Sequence, residues 1–102
     1  MRTSDLRRAL THCYNSGERG GAMVDAALIG RVIQRLRRAK GMSQEVLSGL
    51  AGLDRTHYSK IERGLRSPTI DTLFKIAQAL DMAPHEIVSA IEKAQEAEET
   101  TL

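Results

Sequence analysis

Aromatic rings are scarce in this chain: of 102 residues one is Phe, two are Tyr and none is Trp. A core built from Leu, Ile, Val and Ala, almost without rings, favours packed helices over a sheet sandwich. The single cysteine, Cys13, excludes an intramolecular disulfide. There is no CxxC, no HExxH and no glycine-rich phosphate loop. Beyond the carboxylates, only Cys13, His12, His57 and His85 could serve as nucleophile or metal ligand. Catalysis is therefore not expected, and no metal or cofactor is called for. His57 reads as a helix-flank residue. Nothing resembles a secretory signal or an apolar run long enough to span a membrane. A cytoplasmic protein with no membrane partner is the expectation.

What is present is charge, unevenly spread. Residues 1–22 carry a net +2, residues 23–80 a net +5, and residues 81–102 a net −5. A basic body followed by an acidic tail suggests a polyanion partner for the body, although many domains with no nucleic-acid role carry a similar excess.

The first two dozen residues differ from the rest. Ser4 to Tyr14 could form a short capped helix, and Asn15 to Gly21 reads as a flexible breaker. Met23 is a second candidate start, preceded by a stretch that a ribosome-binding sequence could encode. Translation from Met23, with residues 1–22 an over-extended reading frame, is the expectation; a native product beginning only at Met1 would sink it. Residues 1–24 are thus set apart as an extension, 25–95 as the domain and 96–102 as an acidic tail that frays.

From Asp25 the pattern is regular. Ile29, Val32, Ile33 and Leu36 recur at i, i+3, i+4 and i+7, the stripe of an amphipathic helix that ends at Gly41. Ser43 caps a second helix running to about Ala51, with Val46, Leu47 and Leu50 inward. Gly52 breaks it, and Asp54 caps a third helix that turns Tyr58 and Ile61 inward and ends at Gly64. Thr69 caps a fourth, with Ile70, Leu73, Phe74, Ala77 and Leu80 on one face. Pro84 opens a fifth, carrying Ile87, Val88 and Ile91. The fold class is all-α: five compact helices, with room for an extra one at the N-terminus.

Two short helices joined by a tight glycine turn form a helix-turn-helix, whose demands residues 44–63 can be tested against. With Gln44 counted first, the fifth position is Ser48, small enough for close approach of the helices. The ninth is Gly52, free to turn with positive φ. Leu47, Ala51, Leu53, Tyr58 and Ile61 supply the inward positions, and no proline interrupts either helix. On the third helix Thr56, Ser59, Lys60 and Arg63 point away from Tyr58 and Ile61, with Arg55 at the flank. Such a face is usually plain solvated surface. After this turn it becomes a candidate base-reading face: Arg can fork onto guanine, Thr can touch a thymine methyl, and Lys can reach guanine or a phosphate. Arg55, Thr56, Ser59 and Lys60 are the expected base readers. Gln44, Arg63, Arg66 and Thr69 are the expected phosphate contacts.

The run Arg37-Arg38-Ala39-Lys40-Gly41-Met42-Ser43-Gln44-Glu45 resembles the Cro/CI-type (Xre) helix-turn-helix family. So do Tyr58 to Gly64, Ser67-Pro68-Thr69 and the Leu73…Leu80 helix, and the likeness covers roughly residues 27–91. Leu53-Asp54-Arg55-Thr56 with Ile61-Glu62-Arg63 is similar to the controller proteins of restriction–modification systems. Ser48 departs from the family's usual Ala but keeps its size. The resemblance implies a lambda-repressor-like DNA-binding domain, backbone contact by Gln44, and an ion pair between Glu62 and Arg37 that fixes the recognition helix. It also implies a homodimer on a palindromic operator, joined through the fourth and fifth helices; Ile76, Ala79, Met82, Ile87, Ala90, Ile91 and Ala94 are the interface candidates. The expected function is a transcriptional regulator of double-stranded DNA, autoregulatory, acting as repressor or activator. The alternative is an antitoxin-type protein-binding module that also represses its own operon, with the acidic tail meeting a toxin or RNA polymerase.

Overall fold

A computed structural model describes residues 24–101, with side chains to Glu98. The Ser4–Tyr14 helix, His12, Cys13 and the Met23 start lie outside the described residues. Five helices follow in order: α1 Ala26–Ala39, α2 Gln44–Ala51, α3 Arg55–Glu62, α4 Ile70–Ala79 and α5 Pro84–Thr101. No strand occurs among the described residues.

The caps lie where short polar side chains precede apolar periodicity. Asp25, Ser43, Asp54 and Thr69 accept from the amides of Ala27, Val46, His57 and Thr72 at 3.1–3.2 Å, meeting donors that each first turn leaves unpaired. At α5 the Glu86 side chain reaches back to the Ala83 amide at 2.7 Å, with Pro84 in the first turn. Gly52 closes α2 in the left-handed region (φ 69°), and the next amide, Leu53, donates to the Ser48 carbonyl at 2.9 Å.

Fraying from Glu96 is not what is found. Residues 92–99 are nearly all good helix formers, and α5 continues to Thr101. Arg31 Nη2 donates to Glu98 Oε2 at 2.7 Å, so the distal part of α5 lies over α1.

α1 packs against α3 and α5, α2 against α3 and α4, and α4 against α5. Their common core is Val32, Ile33, Leu47, Tyr58, Ile61, Ile76, Leu80 and Ile87, all fully buried. At Gly30 the backbones of α1 and α3 touch: a Cβ there would stand 2.4 Å from the carbonyl oxygens of both Ile61 and Glu62. Glycine at 30 therefore sets how closely the end of α3 seats on α1.

Several inward assignments need correction. Val46, Leu50, Ile70 and Phe74 are 51, 63, 71 and 55% exposed, and Val88 is also exposed. The cause in α4 is its two neighbours: seated between α2 and α5, it buries the arc through Thr72, Leu73, Ile76, Ala77 and Ala79. Ile70 and Phe74, one turn apart, are left on its open side. The same packing revises the interface candidates. Ile76 and Ile87 are 0% exposed, and Ala79 and Ile91 are buried, all within this chain's own core. Met82, Ala90 and Ala94 pack partly buried against it. Ile76, Ala79, Ile87 and Ile91 are thus taken up by the core, whereas Met82, Ala90 and Ala94 keep part of their surface open and line a groove along α5.

Candidate nucleic-acid interface

α3 is a two-turn helix with dissimilar faces. Its back, Tyr58, Ile61 and Glu62, is buried against α1 and α2. On its front Arg55, Thr56 and Arg63 are exposed and Ser59 and Lys60 half-buried. Thr56, Ser59 and Lys60 make no side-chain hydrogen bond or ion pair among the described residues. Arg66 is exposed in the α3–α4 loop, and Thr69 stands at the start of α4. The Thr69 hydroxyl is already occupied as a cap, and it also donates to Thr72 Oγ1 at 3.0 Å. Any phosphate contact at Thr69 falls to backbone N–H groups of that helix start.

Ser48 is buried where α2 and α3 approach, and its hydroxyl donates to the Glu45 carbonyl at 3.2 Å. A polar atom in place of a methyl is thus satisfied locally and costs the turn little.

The Glu62 carboxylate is the hub behind the exposed face of α3. Arg37 donates to it twice, Nε to Oε2 at 2.6 Å and Nη2 to Oε1 at 3.1 Å. The third guanidinium nitrogen, Nη1, donates to the Met42 carbonyl at 2.7 Å, which holds the α1–α2 loop as well. Tyr58 donates its hydroxyl to Oε2, and Gln44 Nε2 donates to Oε1 at 2.8 Å. Both charged side chains are nearly sealed from solvent, 9% exposed for Arg37 and 1% for Glu62. Burial pushes the Glu62 carboxyl upward, but the hydrogen bonds from Arg37, Tyr58 and Gln44 outweigh it and hold the group below the usual carboxylate range. The bond to Glu62 raises Arg37, and burial together with Glu62 raises Tyr58 well above an ordinary phenol. The cluster stays ionised as Arg37⁺–Glu62⁻ with a neutral Tyr58.

The Arg37–Glu62 geometry is therefore the one anticipated, while the full donor set is larger. Tyr58 stands four residues before Glu62 on one helix, a spacing that could have revealed the contact. Gln44, eighteen residues away, offered no such local signal. It sits half-buried with one amide hydrogen committed to Glu62, leaving its other polar valences for a ligand. A second contact absent from the sequence reading joins the same two helices on the outside: Arg55 Nε lies 3.5 Å from Glu45 Oε1. Among the described residues no group of three His, Cys, Asp or Glu is arranged to hold a metal, and no helix is long and apolar enough to cross a membrane.

A short helix clamped from behind, set after a tight glycine turn, with polar side chains outward and basic residues at its far end, defines a helix-turn-helix. The helix-turn-helix family model matches residues 33–87, and the chain belongs to this family, in its Xre (Cro/CI) branch. Comparison with individual proteins narrows the neighbourhood. The chain is 42% identical over 62 residues to the HTH-type transcriptional regulator y4dJ of Sinorhizobium fredii, covering 61% of this chain and 80% of that one. The restriction–modification controller protein C.AhdI of Aeromonas hydrophila is 42% identical, with a TM-score of 0.60 over 64% of this chain and 98% of its own. The controller protein C.Esp1396I, solved as a tetramer with its natural 35 base-pair operator, is 33% identical, with a TM-score of 0.65 over 71% of this chain and 95% of its own.

Proposed function

We propose that this chain is a sequence-specific regulator of transcription that binds double-stranded DNA as a homodimer on a palindromic operator and controls its own gene. The observation that carries the reading is the contrast within α3. Its back is held by the Glu62 hub and its front leaves Arg55, Thr56, Ser59 and Lys60 toward solvent. Placed in a major groove, those side chains can read base edges, while Gln44, Arg63, Arg66 and the start of α4 meet phosphates on either side. Solved operator binding by C.Esp1396I supports the same reading.

A single two-turn helix reads only a few base pairs, so two copies related by a two-fold axis give the needed length. The surface proposed for that contact is the open side of α4 and α5. Ile70 and Phe74 lie one turn apart on α4; Phe74 and Pro84 line one shallow groove, and Val88 follows Pro84 by one turn. These apolar side chains, with the Asp71–Lys75 pair between them, join the partly open Met82, Ala90 and Ala94 as the proposed dimer face, in place of the buried Ile76, Ala79, Ile87 and Ile91.

The test is fluorescence anisotropy on the DNA just upstream of the gene against a scrambled duplex, at two salt concentrations. Binding should weaken steeply with salt on both, because phosphate contacts release counterions. Preference for the native fragment should be lost in Thr56→Ala and Lys60→Ala, at about 1–3 kcal/mol per good base contact. Equal weak binding of both fragments by the wild type would place the operator elsewhere or turn the search toward a protein partner.

A further inference from the structure

Glu45 is out of place on a surface meant for a polyanion. It lies in the first turn of α2, next to Gln44, and its side chain is 74% exposed. A carboxylate there repels the phosphates that Gln44 would approach. Its position on α2 is matched, however, by the first residue of α3: Glu45 Oε1 stands 3.5 Å from Arg55 Nε, and both side chains are solvent-accessible. The contact engages the inner nitrogen of the guanidinium. The terminal nitrogens, Nη1 and Nη2, have no hydrogen-bond partner among the described residues, and they are the pair that can fork end-on onto the O6 and N7 of a guanine.

Resting on the DNA-binding reading above, we propose that Glu45 is a positioning residue for specificity, presenting Arg55 to guanine while taxing every duplex that offers no guanine there. On the matching sequence the carboxylate fixes the long Arg55 side chain in one orientation, and the guanine contact offsets the phosphate repulsion. On any other sequence the repulsion remains and the fork has no acceptor pair. Discrimination thus comes from a difference between sequences, part attractive and part repulsive. An exposed pair adds little stability, so removing it should move DNA choice without moving the fold.

The experiment uses the full chain and the duplex that the wild type enriches from a random library, with a scrambled duplex as reference. Glu45→Gln keeps the size and removes the charge. Thermal unfolding should be unchanged. Affinity for the scrambled duplex should rise about two- to threefold at low salt, and the enriched-to-scrambled ratio should fall about fivefold. In an Arg55→Ala background Glu45→Gln should leave that ratio unchanged. Equal gains on both duplexes would reduce Glu45 to a bystander charge and overturn the proposal. So would an undiminished fall of the ratio without Arg55, which would make Glu45 a base reader in its own right. Independently of DNA, the Arg55 Nε–Hε resonance of the free protein should shift in Glu45→Gln more than those of the other arginines; no shift would remove the pair. Failure of the wild type to enrich any duplex would instead take down the DNA-binding reading beneath it.

Discussion

The two faces of α3 are built on opposite rules. Behind, Tyr58, Ile61 and Glu62 are buried, and one carboxylate accepts from three side chains on three helices. In front, Thr56, Ser59 and Lys60 have no side-chain hydrogen-bond or ion-pair partner among the described residues. The back fixes where the helix points, and the front decides what it can touch. Substitutions on the back should therefore change stability, and DNA choice only as a consequence. Those on the front should change DNA choice alone.

The largest effect should come from opening the hub. Arg37→Met removes a buried cation and leaves the Glu62 carboxylate without its main counter-charge, at a cost of about 3–5 kcal/mol in urea unfolding. Replacing Glu62 as well should cost less than the two single changes added together, because the stranded charge is gone. Additive losses would mean the two groups are uncoupled. Acidification probes the same site. The folded-state pKa of Glu62 lies below the ordinary glutamate value of about 4.3. Its contribution to stability is therefore fully present above that value and is lost as pH falls through the lower, folded-state one. Glu62→Gln should flatten that part of the acid unfolding profile.

Gly30→Ala comes next, at about 1–3 kcal/mol from overpacking. The added carbon meets backbone oxygens of Ile61 and Glu62, not the flexible end of a side chain, so α3 must move off α1. Because the displaced element carries the proposed reading face, discrimination between duplexes should drop together with the unfolding midpoint. A variant of normal stability that has lost its sequence preference would break the proposed division between back and front.

These contacts were unequally legible in the sequence. Caps and turns depend on residues within three or four positions of one another, and Asp25, Ser43, Gly52, Asp54 and Thr69 all act where local chemistry puts them. The Arg37–Glu62 pair was accessible only through the family likeness. Gly30, a lone glycine inside a helix, was a visible anomaly whose reason lies in another helix. The α4 faces were misassigned because apolar residues occupy most of its circumference: periodicity alone could not choose between Phe74 and Ile76. That choice belongs to α2 and α5, which press on the Ile76 side. Gln44 with Glu62 and Glu45 with Arg55 join residues whose approach depends on the angle of the turn between them.

The α4 misreading leads to the smallest expected change in stability and the sharpest test of assembly. Phe74 is more than half exposed, so Phe74→Ser should alter the unfolding free energy of the separated subunit by no more than about 0.5 kcal/mol. Ile76→Ser, two residues along the same helix, places a hydroxyl in a fully buried site and should unfold the domain. If the strip of Ile70, Phe74, Pro84 and Val88 joins two copies, Phe74→Ser should shift sedimentation from dimer toward monomer while leaving the helical spectrum intact. Half-site binding would persist, and affinity for a two-fold operator would fall and become steeply dependent on protein concentration. A dimer that survives Phe74→Ser and dissociates with Leu50→Ser would move the interface to the exposed side of α2. That side belongs to the helix-turn-helix itself, so the two recognition helices would be held through α2 instead of through α4 and α5.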